Sequence, residues 1–216
     1  MTLIKTGGFA ALVCAATYLF GFALLVTLLA PLGFGTAEID TAAVADFIHG
    51  SPGLMLVLNS TIYILNALAL VILVVALSAH LRPTAPAWAD VTRAIGLVWA
   101  TLVLGAGMIA NVAVERVLTL YPDDPEGAAA LWSILHSVEL GLGGGNEIAG
   151  AVWILCASVA GHRYRLMPKV TSFVGMCTGL AGLATLIPVI GDAAGAIFGI
   201  GAIGWFILIG LQLVRA

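Results

Sequence analysis

His136, Glu139 and Glu147 are ionisable residues that recur at helical spacing within one long apolar segment of the chain. Steps of three and four residues place them, together with Gly143, on one face of a helix. Imidazole and carboxyl groups can exchange protons, hold a polar ligand or coordinate a metal. Because ionisable groups within an apolar helix are costly, they usually face the interior of a helix bundle or a cavity. This face is therefore the first candidate for a functional site.

Two other apolar segments carry polar residues that could meet this face. Asn59, Tyr63 and Asn66 follow one side of the second segment, and Asn111 and Glu115 lie four residues apart in the third. Together these positions predict a site that handles a ligand or protons. Its candidate residues are Glu147, Glu139, His136, Glu115, Asn66, Tyr63, Asn59, Asn111 and Asn146.

Six apolar segments must position these residues. They cover approximately 9–31, 54–79, 94–118, 131–160, 170–190 and 194–214. Each is at least about 20 residues long, enough for a helix to cross a hydrocarbon core about 30 Å thick. The chain is 62% hydrophobic and 9% charged, whereas soluble domains are about 25% charged. We therefore predict an all-α membrane protein, a single domain over residues 1–216 with six transmembrane helices, and exclude a soluble enzyme.

The charged residues predict the orientation of these helices. Seven of the eight Lys and Arg residues lie in alternate gaps, namely Lys5, Arg82, Arg93, Arg163, Arg165, Lys169 and Arg215. The other gaps carry Glu38, Asp40, Asp46, Asp123, Asp124, Glu126 and Asp192. By the positive-inside rule the basic gaps are cytoplasmic, so both termini are predicted to lie inside the cell. The net charge of −3 and the absence of a basic run argue against nucleic acid as a partner.

This orientation predicts the depth of each candidate residue. His136, Glu139 and Glu115 would lie in the outer third of the membrane, and Glu147 about 12 Å below Glu139, near the midplane. A pocket open to the outside would then taper toward Glu147. Since an ionised carboxylate at that depth is costly, we expect Glu147 to be protonated or hydrogen-bonded to Asn66 or Asn146.

Structural roles remain open for several of these residues. Arg116 with Glu115 or Glu139 could form an ion pair near the interface, and the Asn and Tyr side chains could simply join helices. In the long loop 32–53, Ile39, Ala43 and Phe47 recur every fourth residue. That period predicts a short amphipathic helix on the outer side, which lies on the membrane or caps the bundle.

No cofactor is predicted, although a metal site and a haem b site are alternative hypotheses. His136 and Glu139 could bind a metal with His49 or Glu115 as a third ligand. A di-iron carboxylate site of the ferritin type needs two Glu-x-x-His helices, whereas this chain has one such pair in reversed order. Haem b would need two axial ligands that face each other. His80 and His162 both lie at the inner ends of apolar segments and could provide them.

Short motifs in the second half of the chain are similar to those of a known family. They are Gly144-Gly145-Asn146-Glu147-Ile148, Ala151-Val152-Trp153-Ile154-Leu155, Leu166-Met167-Pro168 and Val174-Gly175. This pattern resembles a bacterial family of six-helix integral membrane proteins catalogued as a domain of unknown function, with Gly-Gly-x-Glu in the fourth span. The chain has Asn146 where that motif often has a small residue. The resemblance implies a six-helix protein of the bacterial inner membrane and supplies no activity.

Three functional hypotheses follow from the sequence. The first is a multi-pass membrane protein whose outward-facing polar pocket binds or handles a small lipophilic molecule or protons. The second is an accessory or scaffold subunit of a larger membrane complex, which would use the glycine-rich fifth and sixth spans to contact a membrane-protein partner. The third is a metal or haem redox protein. The lipid bilayer is the partner common to all three.

Overall fold

The protein is all-helical throughout the part of the chain that the computed structural model describes, residues 2–34, 39–144 and 147–216. No strand occurs in those ranges. The α-helices are α1 (Leu3–Leu24), α2 (Thr41–Gly50), α3 (Pro52–Asn59), α4 (Asn66–Leu81), α5 (Pro86–Leu120), α6 (Pro125–Glu139), α7 (Ile148–Arg163), α8 (Lys169–Ala184) and α9 (Gly191–Arg215). The all-α class predicted from the sequence is confirmed.

Five helical stretches are long and apolar enough to cross a membrane, so this is a membrane protein. They are Leu3–Leu32, Pro52–Leu81, Pro86–Leu120, Pro125–Arg163, which runs across two residues outside the described ranges, and Gly191–Arg215. The predicted span 170–190 corresponds to α8, which ends at Ala184 after 16 residues. Turns around Pro188 follow it. At 1.5 Å per residue α8 is about 24 Å long, shorter than a typical hydrocarbon core.

Six helices pack side by side in a closed ring. Around the ring, α1 contacts α4, α4 contacts α5, α5 contacts α7, α7 contacts α8, α8 contacts α9, and α9 returns to α1. Two further helices join the bundle, since α6 packs on α5 and α2 packs on α6. We call the end of the bundle that carries α2 and the α5–α6 turn the α2 end.

Large aromatic side chains fill one part of the ring, where glycines leave room for them. Trp99 and Trp153 are almost fully buried and pack with their rings 5.6 Å apart. A Cβ at Gly96 would lie 2.5 Å from the Trp153 indole nitrogen, and one at Gly150 would lie 2.5 Å from the Trp99 ring. Each tryptophan therefore occupies space that a glycine on the other helix leaves open, which brings α5 and α7 close together.

The short helix predicted in the loop 32–53 is present as α2 and caps the bundle. Asp40 starts it by accepting a hydrogen bond from the Ala43 N–H. Its buried face consists of Val44, Ala45 and Ile48, which is displaced by one residue from the predicted line of Ile39, Ala43 and Phe47. The reason is that α2 packs against α6 and α5, which contribute buried side chains to the same apolar cluster.

The predicted continuous helix over 131–160 is broken. A π-helical turn, Leu140–Gly144, follows α6, and within it Gly143 has φ 148° and ψ 5°, which is not a helical conformation. Helix α7 starts only at Ile148. Residues 136–147 therefore do not form the single regular stripe that the spacing predicted. A second π-helical turn, Ser60–Leu65, joins α3 to α4 and rotates Tyr63 relative to a regular helix.

Candidate functional site

A cavity of about 780 Å³ lies within the bundle. Residues from α1, α3, α4, α5, α6 and the start of α9 line it, together with Glu147 and the turn between α8 and α9. Its polar lining includes Thr17, Asn59, Tyr63, Asn66, His136, Glu139, Glu147 and Asp192. Its volume lies within the range of about 300–1,000 Å³ that is usual for small-molecule sites. The cavity thus brings together six of the nine residues that the sequence singled out.

Glu139 is the centre of a hydrogen-bonded group. The Tyr63 hydroxyl donates to its Oε1 over 2.5 Å, and His136 Nδ1 lies 2.8 Å from its Oε2. Glu139 is only 6% exposed. Both of its buried carboxylate oxygens therefore have a partner within the protein instead of water. His136 and Glu139 lie three residues apart in the last turn of α6, so their side chains are on the same face of the helix. Tyr63 approaches them from the π-helical turn Ser60–Leu65.

Aromatic rings hold the His136 imidazole in place. Trp132, one turn earlier on α6, stacks on it with ring centroids 4.7 Å apart and an interplanar angle of 14°. Phe34 meets the same imidazole edge-on at 5.8 Å. With Glu139 at Nδ1, these contacts fix the ring orientation on three sides. Such fixation is what a carboxylate provides to a histidine that exchanges protons.

Asn66 and Asn59 have different surroundings although both are buried. The Asn66 amide donates to Thr17 Oγ1 over 2.6 Å, which ties α4 to α1. The expected bond between Asn66 and Glu147 is therefore not made, because α1 supplies the nearer partner. Asn59 is 6% exposed and lines the cavity. Its side chain has no hydrogen bond within residues 2–34, 39–144 and 147–216.

Glu147 lies at the residue before α7 begins, beside the helix break. Its carbonyl accepts the hydrogen bond of the Ala151 N–H, while its carboxyl group neither caps α7 nor bonds to any other described residue. Its proposed partner Asn146 lies outside the described residues.

Three residues that the sequence predicted near the site do not line the cavity. Glu115 and Arg116 are exposed on α5, because Ala113, Val114 and Val117 form the buried face of that stretch. In the described ranges neither makes an ion pair, so the predicted Arg116 pair is absent there. Asn111 donates to Ser60 Oγ over 3.2 Å and does not line the cavity.

The histidines weighed as metal or haem ligands are also placed apart. His49 stacks on Tyr121 at 4.3 Å, at the end of α5, rather than joining His136. A ring nitrogen of His80 lies 3.3 Å from the Leu166 carbonyl oxygen, and His162 is exposed. Among the residues that the structure describes, no group of three His, Cys, Asp or Glu side chains could hold a metal ion.

Sequence reasoning missed the contributions of α1 and α9 to the cavity. Thr17 and Tyr18 come from the middle of the first apolar segment, and Asp192 comes from the first turn of α9. A hydroxyl in the middle of an apolar span was a usable signal for Thr17. No signal in the sequence could have shown that α1 lies beside α4, since that contact depends on closure of the ring.

Three glycines of the glycine-rich fifth and sixth spans lie against neighbouring helices of the same chain. A Cβ at Gly175 would meet Ser158 and Trp205, one at Gly179 would meet Ala151, and one at Gly199 would meet Phe22. These positions allow close packing inside the bundle, as small residues do between membrane helices.

The arrangement suits non-covalent binding and proton exchange. The cavity lining includes carboxyl groups, an imidazole, two phenols and two amides, and within its described part it contains no Lys, Arg, Ser or Cys. The oriented imidazole of His136 could accept or donate a proton at a bound molecule. The described lining therefore provides no serine or cysteine that could act as a nucleophile in a covalent step.

Comparison with known proteins places the chain in a family without assigning an activity. A family model described as a domain of unknown function (DUF4386) matches residues 6–210. No curated protein matches the chain. No solved structure matches it either.

Proposed function

The chain belongs to the family described as a domain of unknown function (DUF4386), and we propose that this member binds a small amphipathic molecule inside its helix ring. The polar end of the molecule would meet Asn59, Glu147 and the Glu139 group, and its apolar part would lie against the remaining walls. His136 would exchange a proton with the bound molecule. We place the protein in the bacterial cytoplasmic membrane, with six spans, both termini inside and the α2 end outside.

The observation that carries this proposal is that two polar side chains, Asn59 and Glu147, line the cavity and have no hydrogen bond to a described residue. Asn59 is 6% exposed, yet neither its amide nor the Glu147 carboxyl is hydrogen-bonded to a described residue. Leaving a buried polar group unsatisfied costs about 1–3 kcal/mol, whereas a ligand or water that pairs with it removes that cost. A purely structural filler of a membrane complex has no need for such groups, so this feature favours binding over the scaffold hypothesis.

Binding can be measured with an uncharged nitroxide-labelled amphiphile on the purified protein in nanodiscs. The nitroxide quenches tryptophan fluorescence on contact, and Trp99 and Trp132 both line the cavity. We expect saturable quenching that loses its Trp132 component in Trp132→Phe. His136→Ala and Glu139→Gln should each weaken the affinity about three- to tenfold, the effect of one lost hydrogen bond.

Two controls separate binding in the cavity from partition into lipid. Ser137→Ala changes an exposed residue on the same helix and should bind as the unaltered chain does. Ala110→Phe places a ring in the cavity lining and should abolish saturable quenching, whereas Val112→Phe, on the exposed side of α5, should not. Quenching that never saturates, or that Ala110→Phe leaves unchanged, contradicts the proposal.

A further inference from the structure

We propose that the ligand of this cavity is an organic cation, a molecule with a positively charged centre carried on an apolar body. This inference rests on the proposed function and names the substrate class of the same cavity. It comes from the sign of the charges in the described lining, from one carboxyl and one amide that lack partners, and from the aromatic rings beside them.

Apart from His136, which is paired with Glu139, the charged side chains in the described part of the cavity lining are acidic. Its described lining holds three carboxyl side chains, Glu139, Glu147 and Asp192, and neither lysine nor arginine. The basic residues of the chain lie elsewhere, with Arg82 paired to Asp90 on the surface. A cavity lined in this way attracts positive charge and repels anions, because like charges in an apolar surrounding cost several kcal/mol.

Glu139 and Glu147 are not equivalent. Both oxygens of Glu139 already have partners, in Tyr63 and His136. Glu147 has no hydrogen bond to a described residue, although it is partly buried and lines the cavity at the residue before α7. Its carboxyl group therefore retains the capacity to pair with a ligand. A cation next to Glu147 would allow the carboxylate to ionise inside the membrane, where an unpaired charge is costly.

Asn59 provides an independent indication that a ligand belongs here. Its side chain is more than nine-tenths buried, faces the cavity and has no hydrogen bond to a described residue. The amide oxygen can accept from an ammonium or amine N–H, or align its dipole toward a positive centre. A solely apolar ligand would leave this group unsatisfied.

Aromatic faces complete the environment that organic cations prefer. Tyr18, Trp99 and Trp132 all line the cavity. A cation within about 6 Å of such a ring is attracted by its quadrupole, by about 0.5–2 kcal/mol depending on desolvation. Carboxyl groups beside aromatic rings therefore favour a positive centre, and the ring surfaces accommodate the apolar body that carries it.

The test compares two hydrophobic ions of similar shape and opposite charge, tetraphenylphosphonium and tetraphenylborate. Equilibrium binding is measured on the purified full chain in nanodiscs, with empty nanodiscs as the reference for partition into lipid. We expect saturable binding of tetraphenylphosphonium and no saturable binding of tetraphenylborate. Glu147→Gln should weaken the cation affinity at least about tenfold, as expected for a lost contact with a charged group.

The matched control is Glu115→Gln, the same chemical change at an exposed glutamate of α5 that does not line the cavity. It should leave the affinity unchanged, and thermal unfolding of both variants checks that they are folded. The comparison of the two ions on the unaltered chain decides the question even where Glu147→Gln is not recovered in folded form.

Failure of this inference can be told apart from failure of the proposed function. Tetraphenylborate that binds as tightly as tetraphenylphosphonium, or a cation affinity that Glu147→Gln leaves intact, overturns the cation proposal alone. The same holds where neither ion binds but the uncharged nitroxide amphiphile still binds saturably. Absence of saturable binding for all three probes overturns both proposals.

Discussion

Two glutamates in the same stretch of chain show how neighbours decide the role of a side chain. Glu139 is held by a phenol and an imidazole, so its carboxylate orients other groups. Glu147 has no hydrogen bond to a described residue, and in our proposal its carboxyl group pairs with the ligand. Their separation in the sequence is eight residues, and nothing in the local residue types distinguishes them. The difference arises because Tyr63 reaches Glu139 from another helix.

Tyr121, at the end of α5 and outside the membrane helices, allows a residue-scale prediction about pH. Its hydroxyl donates to Asp46 of α2, and this hydrogen bond raises the pKa of Tyr121 above its usual value. Since the folded-state pKa is raised, the contribution to stability is fully present below the unfolded value of about 10. It is lost as pH rises through the folded pKa.

The ultraviolet absorbance of tyrosinate measures this shift. Tyr121→Phe identifies the Tyr121 component of the titration, and Asp46→Asn should move that component to lower pH. Thermal unfolding should show that the difference in stability between the unaltered chain and Asp46→Asn shrinks as the tyrosine ionises. An unchanged Tyr121 titration in Asp46→Asn would mean that α2 does not dock through this pair in solution.

The break between α6 and α7 is the most consequential feature of a single element. A continuous helix would carry His136, Glu139 and Glu147 on one stripe, whereas the break lets α7 begin beside the cavity, directly after Glu147. Backbone groups freed in a membrane helix are tolerated where they line a cavity within the protein. The break therefore belongs with the site and not with the lipid-facing surface.

Gly143→Ala tests whether the break depends on glycine. With φ at 148°, Gly143 adopts a conformation that alanine disfavours, although no neighbouring atom would contact the added Cβ. We expect a loss of about 1–3 kcal/mol and a lower apparent Tm. Gly141→Ala is the matched control, because Gly141 lies in the same turn, has open space around it and has no positive φ. Equal Tm values for the two variants would argue against this backbone conformation.

At the scale of the whole molecule, the helix ring and the charge pattern predict one topology. Asp123 and Arg163 are both exposed. Asp123 lies in the turn that precedes α6, and Arg163 is the last residue of α7, so the stretch from α6 to α7 separates them. In a Cys177→Ser background, Asp123→Cys should react with an impermeant thiol reagent in intact cells, whereas Arg163→Cys should react only after lysis. The reverse pattern would invert the proposed orientation of the cavity.

Much of the architecture could be predicted from the chain because its cause is local. Long apolar runs cross a hydrocarbon core only as helices, since each backbone polar group must find a partner within its own segment. The helical class, the membrane assignment and the capping helix α2 follow from that rule and from residue periodicity. Polar residues at helical spacing were likewise enough to group Tyr63, His136 and Glu139, which the structure joins by hydrogen bonds.

What the tertiary structure alone decided depends on contacts between distant segments. Closure of the ring brings Thr17 of α1 to Asn66 and so leaves Glu147 without that partner. The positive φ at Gly143 interrupts a segment for which the apolar composition predicts one continuous helix. Glu115 has the same spacing from Asn111 as true cavity residues have from one another, yet the packing of Ala113 and Val114 turns it outward. Spacing along one helix determines which residues share a face, whereas only the neighbouring helices determine where that face points.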